Sequence, residues 1–264
     1  MKHLILDCDF LCHRVFHSSQ WHPDFPELSP AFLREVERLV EKFDPDRLSF
    51  CFDSRRSKRR ESFPQYKHKR NDARKEGTRE EKRQWRLFCE ARAKLRDELT
   101  GKGFRNVFIQ KGYEADDMIA CVVAGMKTKD EAVIVTSDHD MFQLITSNIT
   151  LYLLGKKKMY GQEDFVLDYG VHPSQWIDIK SIAGCASDNI DGIAGVGEKT
   201  AAKYIAGKLK RNSVAFRRIV EKSHLWKRNY ALVRLPYDGC SPVRVRKDAN
   251  WKFKQQLKGI RDGS

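Results

Sequence analysis

Residues 132–140 read AVIVTSDHD, a β-branched apolar run that ends on two carboxylates, Asp138 and Asp140. The same grammar occurs at HLILD (3–7), which stops on Asp7, and at LSFCFD (48–53), which stops on Asp53. Helical patterns separate these runs, and strands alternating with helices mark an α/β fold with a largely parallel sheet. The expected strands are His3–Leu6, Leu48–Phe52, Val107–Gln110, Ala132–Thr136 and Ile149–Leu154. Between the first two, Ser29–Phe43 is predicted to be an amphipathic helix with Ser29 as N-cap, Pro30 at the first helical position and Phe32, Leu33, Val36, Leu39, Val40 and Phe43 on one face. Open α/β sheets present ligand sites at the carboxyl ends of their strands, so the acids after these strands are expected to share one crevice. GYEADDMIACVVAGM (112–126) adds Glu114, Asp116 and Asp117 in the first turn of a further helix.

One aspartate after a strand is ordinarily a turn or capping residue. Seven carboxylates converging on one edge are another matter, because they repel unless cations neutralise them, and oxygen-rich sets suit Mg²⁺ or Mn²⁺. The rest of the chain is basic: 264 residues carry 50 Lys+Arg against 36 Asp+Glu, a net charge of +14. That excess favours a polyanionic partner, and acids set in a basic protein suggest metal-assisted phosphodiester chemistry. With a mean hydropathy of −0.62 and no apolar run near the roughly 18–20 residues that span a bilayer, a membrane protein is excluded. The opening MKHLILDCD does not read as a signal peptide. Seven cysteines without a C-x-x-C pair imply reduced thiols and a cytoplasmic setting. His13 and His17, at i,i+4, are read as structural rather than metal-binding.

Two further segments bear on partners. From Arg55 to Lys75 ten Lys or Arg face only Glu61 and Asp72, with Phe63 and Tyr66 interleaved. The capping box Thr78-x-x-Glu81 then opens a helix with Trp85, Phe88, Arg92, Leu95 and Leu99 at helical spacing. Such an insertion over an acidic site would attract a phosphate backbone and stack a base on Tyr66. Downstream, a short apolar helix, Trp176–Ala183, leads through Gly195-Val196-Gly197 into a helix beginning near Glu198. Glycines let the backbone approach a ligand, the helix N-terminus offers N–H groups to a phosphate, and Lys199 and Lys203 add charge.

In their order, these pieces resemble the 5′-nuclease family, which includes flap endonucleases, phage 5′-exonucleases and the N-terminal nuclease domain of bacterial DNA polymerase I. The resemblance runs from LILDCDFLCHR through FPQYKHKR, GYEADD and TSDHD to SDNIDGIAGVGEKTA; phage enzymes are nearest in length and arm, and RNYALVRLP also matches them. It implies a PIN-like α/β nuclease core over residues 1–173 with a mainly parallel sheet and a helical arch over about 55–99. A helix-three-turn-helix module and C-terminal region would follow at 174–264.

The resemblance also assigns roles. Asp7, Asp53, Glu114 and Asp116 fall where one metal's ligands are expected, and Asp117, Asp138, Asp140 and Asp188 around a second, so two Mg²⁺ or Mn²⁺ ions are implied. Lys67 and Arg70 match arch residues that contact the scissile phosphate, and Arg14 a basic residue near the site. Backbone carbonyls near Ile182, Ala183, Ile193 and Val196 are where the family can hold a monovalent cation such as K⁺. One departure stands out: the family usually has an aspartate three residues before the SDN aspartate, where this chain has Cys185, and a neutral thiol is a poor ligand for a hard cation. The implied activity is metal-dependent 5′-3′ exonuclease and 5′-flap endonuclease cleavage of DNA by a monomer, in DNA replication or bacteriophage DNA processing. The alternatives are a non-catalytic DNA-structure-binding protein and a PIN-type ribonuclease.

Overall fold

The computed structural model describes residues 1–17, 28–246 and Leu257; the rest of the expected C-terminal region lies outside the described residues. Six strands form one sheet in the order β3-β2-β1-β4-β5-β6. They are β1 (Lys2–Asp7), β2 (Arg47–Cys51), β3 (Val107–Phe108), β4 (Glu131–Thr136), β5 (Ile149–Leu153) and β6 (Lys158–Tyr160). The first five run parallel and β6 is antiparallel to β5. The chain leaves β1 for β2 on one side and reaches β4 on the other, so the strand order reverses at β1. A crevice opens at the carboxyl edge of such a switch point. Register sets its floor, since Asp7 pairs with Cys51 and Leu6 with Val135.

Alternation along the strands divides the core between the two faces. Leu4, Leu6, Val133 and Val135 pack with α2 (Ser29–Phe43) and α5 (Arg79–Gly101). Ile5, Ala132 and Ile134 pack with α6 (Ala115–Ala124) and α8 (Trp176–Ala183). Both faces are covered, as a parallel sheet requires. All six residues predicted for the apolar face of α2 are buried. The cap differs: Ser29 is already helical and Leu28 precedes it without a side-chain cap, the first turn resting on Pro30. The third strand is shorter than expected. β6 went unread because Lys156, Lys157 and Lys158 hide its pattern, and lysines are usual on an edge strand.

The insertion after β2 forms α3 (Lys58–Ser62), α4 (His68–Glu76) and α5. Thr78 and Glu81 make the predicted capping box, and Phe88, Leu95 and Leu99 anchor α5 in the core. Farther on, after α7 (Gln162–Tyr169), α8 runs into the small ribbon of β7 (Gly184–Cys185) and β8 (Ile190–Asp191), followed by α9 (Glu198–Ile205) and α10 (Val214–Glu221). This ribbon closes only because two glycines meet: a Cβ on Gly192 would lie 2.0 Å from the Ala183 oxygen, and Gly184 has φ +77° with a would-be Cβ 2.3 Å from the Gly192 nitrogen. The buried Asn229 amide, on α11 (Ser223–Val233), donates to the Ser181 and Asp191 carbonyls at 2.9 Å each and clamps the ribbon from behind.

Candidate active site

The strand-end acids converge. Asp7 accepts from the Phe10 amide, so it caps α1 (Cys8–Phe16), and from the Thr136 hydroxyl that the register sets beside it, 2.9 Å away. Burial raises Asp7 to about 7 and Asp53 to about 6, with neighbouring acids adding to both shifts. The same burial, reinforced by Asp138 and Asp7, pushes Asp116 well up. Together with Glu114 and Asp138 these groups line one cleft of about 510 Å³. Its other walls include arginines of the insertion, among them Arg55, Arg60, Arg74 and Arg92.

Beside this cleft Asp140, Cys185 and Asp188 form a second group whose ligand atoms lie within 4.8 Å of one another. The Cys185 thiol stands 4.0 Å from Asp140 and 3.1 Å from the Ser187 hydroxyl. Burial raises Asp140 and Asp188, and the Lys180 ammonium, 3.0 Å from Asp140, partly offsets it there.

Tyr66 and Lys67 join the two groups. The Tyr66 hydroxyl lies 2.8 Å from Glu114 and 3.3 Å from Asp188, so its single proton is shared between them. This corrects the expectation of a stacked base, since Tyr66 is only 3% exposed. Lys67 donates its backbone N–H to the Asp188 carbonyl and its ammonium to Glu114, both at 2.9 Å. Burial opposes that charge, but Tyr66, Glu114, Asp188 and Asp53 outweigh it and keep the ammonium protonated. Burial also pushes Glu114 upward, yet Lys67 and Arg59 hold it below the ordinary carboxylate range. Arg70 reaches Asp188 at 3.2 Å with its side chain 47% exposed.

Asp117 is the second correction. Both its oxygens are taken by the Arg59 guanidinium at 2.7 and 2.8 Å, the Glu114 amide at 3.0 Å and the Tyr237 amide at 2.7 Å. Four donors fill a carboxylate's lone-pair sites, so Asp117 braces the α6 N-terminus and has none left for an ion. Arg14 stands exposed on α1, outside the residues that line the cleft. Gly195 and Gly197 lie exposed before α9; Lys203 points to solvent, while the Lys199 ammonium contacts the Asp168 carbonyl and sits 4.4 Å over the Tyr169 ring. The Ile182 carbonyl accepts the Ile193 amide and the Ile193 carbonyl the Val196 amide, both at 2.9 Å; the Ala183 oxygen lies against Gly192.

Asp9 was missed. It accepts the Asp53 amide at 2.5 Å and pairs with Arg92, tying the cleft floor to α5. Its signal was present, because Asp7 and Asp9 repeat the spacing of Asp138 and Asp140. Arg59 gave no such signal, its partner being 58 residues away.

The donor chemistry fits a hard divalent ion in the cleft: Asp7, Asp53, Asp116 and Asp138 are oxygen donors, and Asp7, Asp53 and Asp116 resist ionisation without a counter-charge. The group at Asp140 and Asp188 fits less well, because its third member is a thiol.

A family model described as the 5′-3′ exonuclease N-terminal resolvase-like domain matches residues 2–170. The 5′-3′ exonuclease of Bacillus subtilis (strain 168) is 33% identical over 217 residues, 77% of this chain and 69% of that protein. The 5′-3′ exonuclease of Mycoplasmopsis pulmonis is 30% identical over 208 residues, 77% of this chain and 66% of that one. The chain thus spans about two thirds of the length of these relatives. Among solved structures, the bacteriophage T5 flap endonuclease, in a pseudo-enzyme–product complex with DNA and metal ions, superposes with a TM-score of 0.79 at 24% identity, covering 99% of this chain and all of that one. At that identity the likeness establishes the PIN-like α/β fold.

Proposed function

Because the chain belongs to the 5′-3′ exonuclease family, we propose that it is a divalent-metal-dependent 5′-nuclease that hydrolyses phosphodiester bonds in DNA, trimming 5′ ends and cutting 5′ flaps. The observation that carries the reading is an acidic floor under a basic roof within one cleft. A phosphodiester is drawn to the roof and meets the chemistry at the floor.

Asp7, Asp53, Asp116 and Asp138 would hold one Mg²⁺ or Mn²⁺, with Glu114 beside them, and Asp140 and Asp188 a second. When bound, such an ion supplies a water of lowered pKa and neutralises phosphate charge. Lys67, at the N-cap of α4, and Arg70, within it, do the rest. At rest they sit on Glu114 and Asp188, and an entering phosphate offers each a competing anion. Their cationic donors then stabilise the charge that grows on the phosphoryl oxygens. Asp9 and Arg92 hold α5 to the floor so that the roof keeps its place.

In this reading residues 1–173 are the nuclease core, with the arch at about 55–99, and 174–264 hold the helix-three-turn-helix module that grips the duplex and the C-terminal region. Gly195, Gly197 and Lys203 meet phosphates at the α9 N-terminus, Lys199 joins them by leaving Asp168, and Arg14 contacts the strand outside the cleft. A K⁺ ion would use the second lone pairs of the Ile182 and Ile193 carbonyls, with those of Ala183 and Val196. The protein would act as a cytoplasmic monomer in replication or phage DNA processing. Cys185 favours one rival, a DNA-structure-binding protein with a defective second metal site.

Labelled flap, nicked, gapped and blunt substrates, each as DNA and as RNA, test this reading. Cleavage of DNA flaps with Mg²⁺ is expected. Tight flap binding with no product would favour the binding protein, and faster cleavage of RNA would point to a ribonuclease, the 2′-OH being the distinguishing group.

A further inference from the structure

Two of the seven cysteines, all free, face each other across a junction that the proposed chemistry does not use. Cys121 lies on α6, the helix that carries Asp116 and Asp117, and Cys240 lies in the segment after α11. Their sulfurs are 3.3 Å apart although 119 residues separate them in sequence. Cys240 is held in place from both sides: its amide closes a turn onto the Tyr237 carbonyl at 3.1 Å, and Gln110 accepts from its thiol and from the Ser241 amide. Cys121 is 5% exposed beneath this segment, whereas Cys240 is only partly buried and open to a small oxidant.

That segment works as a strap. The Tyr237 amide donates to Asp117 and its hydroxyl meets Ser62 of α3 at 2.6 Å. The Arg59 guanidinium donates to the Arg234 carbonyl and lies over the Tyr237 ring. Whatever fixes the strap to α6 therefore also fixes the base of the inserted helices.

We propose that Cys121 and Cys240 form a reversible disulfide under peroxide, a modification site that clasps the strap to α6. A disulfide brings the sulfurs from 3.3 Å to roughly 2.05 Å. The partly exposed Cys240 sulfur attacks a peroxide oxygen, the O–O bond breaks, one water leaves, and Cys240 becomes a sulfenic acid. The Cys121 sulfur then attacks the Cys240 sulfur, the S–O bond breaks and its oxygen leaves as the second water. Two thiols lose two electrons and two protons, and one hydrogen peroxide takes them up. A thiol such as dithiothreitol reverses the link by exchange.

The test treats the reduced full chain with hydrogen peroxide, blocks remaining thiols with N-ethylmaleimide, and maps the peptides by mass spectrometry beside a thermal melt. A peptide pair joining Cys121 to Cys240 is expected, with Tm raised by about 5 °C or more, because the link constrains a long loop of the unfolded chain. Dithiothreitol should undo both effects. Cys240→Ser, at a partly exposed position, should abolish both, and Cys89→Ser should leave both intact. Oxidation of Cys240 to sulfinic acid with no linked peptide would overturn the proposal, as would a rise in Tm that persists in Cys240→Ser.

Discussion

Lys67 has a left-handed backbone, φ 55°, an uncommon conformation for a residue with a Cβ. The surroundings hold it there: its amide is bonded to the Asp188 carbonyl and its ammonium to Glu114. Strain kept by such partners at the rim of a cleft is what a residue poised on substrate requires. Lys67→Ala should therefore lower the single-turnover cleavage rate by about a hundredfold or more while changing flap affinity far less, as expected when a transition-state contact is lost. Equal losses in rate and affinity would make Lys67 a mere binding residue. Cys185 carries a second prediction at this scale. Cys185→Asp gives the group with Asp140 and Asp188 a third oxygen donor and should move the Mg²⁺ activation curve to lower concentration, with Mn²⁺ relatively better for the parent. Overlapping curves in an Mg²⁺ titration would mean that the thiol has no bearing on metal binding. Single residues were legible in the sequence where chemistry follows the strand, as at Asp7, Asp53 and Asp138. They were not where a distant partner decides which way a side chain turns. Asp117 and Asp116 are neighbours in sequence, but Arg59 takes one and the cleft the other.

Among the elements, the ribbon of β7 and β8 depends most on particular atoms. Gly192→Ala would force a methyl into the Ala183 carbonyl, and no flexible side chain stands there to yield. A loss of about 3 kcal/mol or more is expected from backbone strain and overpacking, read as a fall in the denaturation midpoint. Removing the Asn229 clamp acts on the same ribbon. Asn229→Ala takes a donor from the buried Ser181 carbonyl and the partly buried Asp191 carbonyl and should cost about 1–3 kcal/mol. A denaturation curve unchanged in either variant would show that the ribbon is not fixed in this way. The sequence revealed the helices here, α8 and α9, because apolar spacing and glycine punctuation are local signals. The two-residue strands between them were invisible, since a crossing of two backbones leaves only Gly184 and Gly192 as its trace. The edge strand β6 was hidden for another reason, its Lys158 serving to keep the edge from pairing rather than to fill a core.

At the scale of the whole molecule, opposite charges are sorted between the floor and the walls of one cleft, and pH and metal should expose that sorting. Burial keeps Asp7 and Asp53 protonated to about 7 and about 6, whereas in the unfolded chain they ionise near about 4. The folded state thus holds more protons between these values. The stability these groups contribute is complete below about pH 4 and is lost as the pH rises through about 6 to 7. In chelator, Tm should fall over that window. Mg²⁺ should raise Tm by about 5–10 °C at saturation, and by more at the upper end of the window, where protons no longer compete for the carboxylates. A melting temperature indifferent to Mg²⁺ would argue against a shared site. The largely parallel sheet and the convergence of the acids at its strand ends were legible from the chain alone, because a parallel sheet delivers every carboxyl end to one edge. Tyr66 and Lys67 were not legible as the link between the two acid groups, because α4 has to fold back over that edge before they meet.

The most direct test of the central claim is single-turnover cleavage of a 5′-labelled DNA flap by the parent protein and by Asp138→Asn, each with Mg²⁺ and with chelator. The account predicts short 5′ products from the parent in Mg²⁺ alone, and a rate at least about a hundredfold lower in Asp138→Asn with flap binding retained. Equal cleavage in chelator, or an Asp138→Asn rate equal to the parent's, would contradict it.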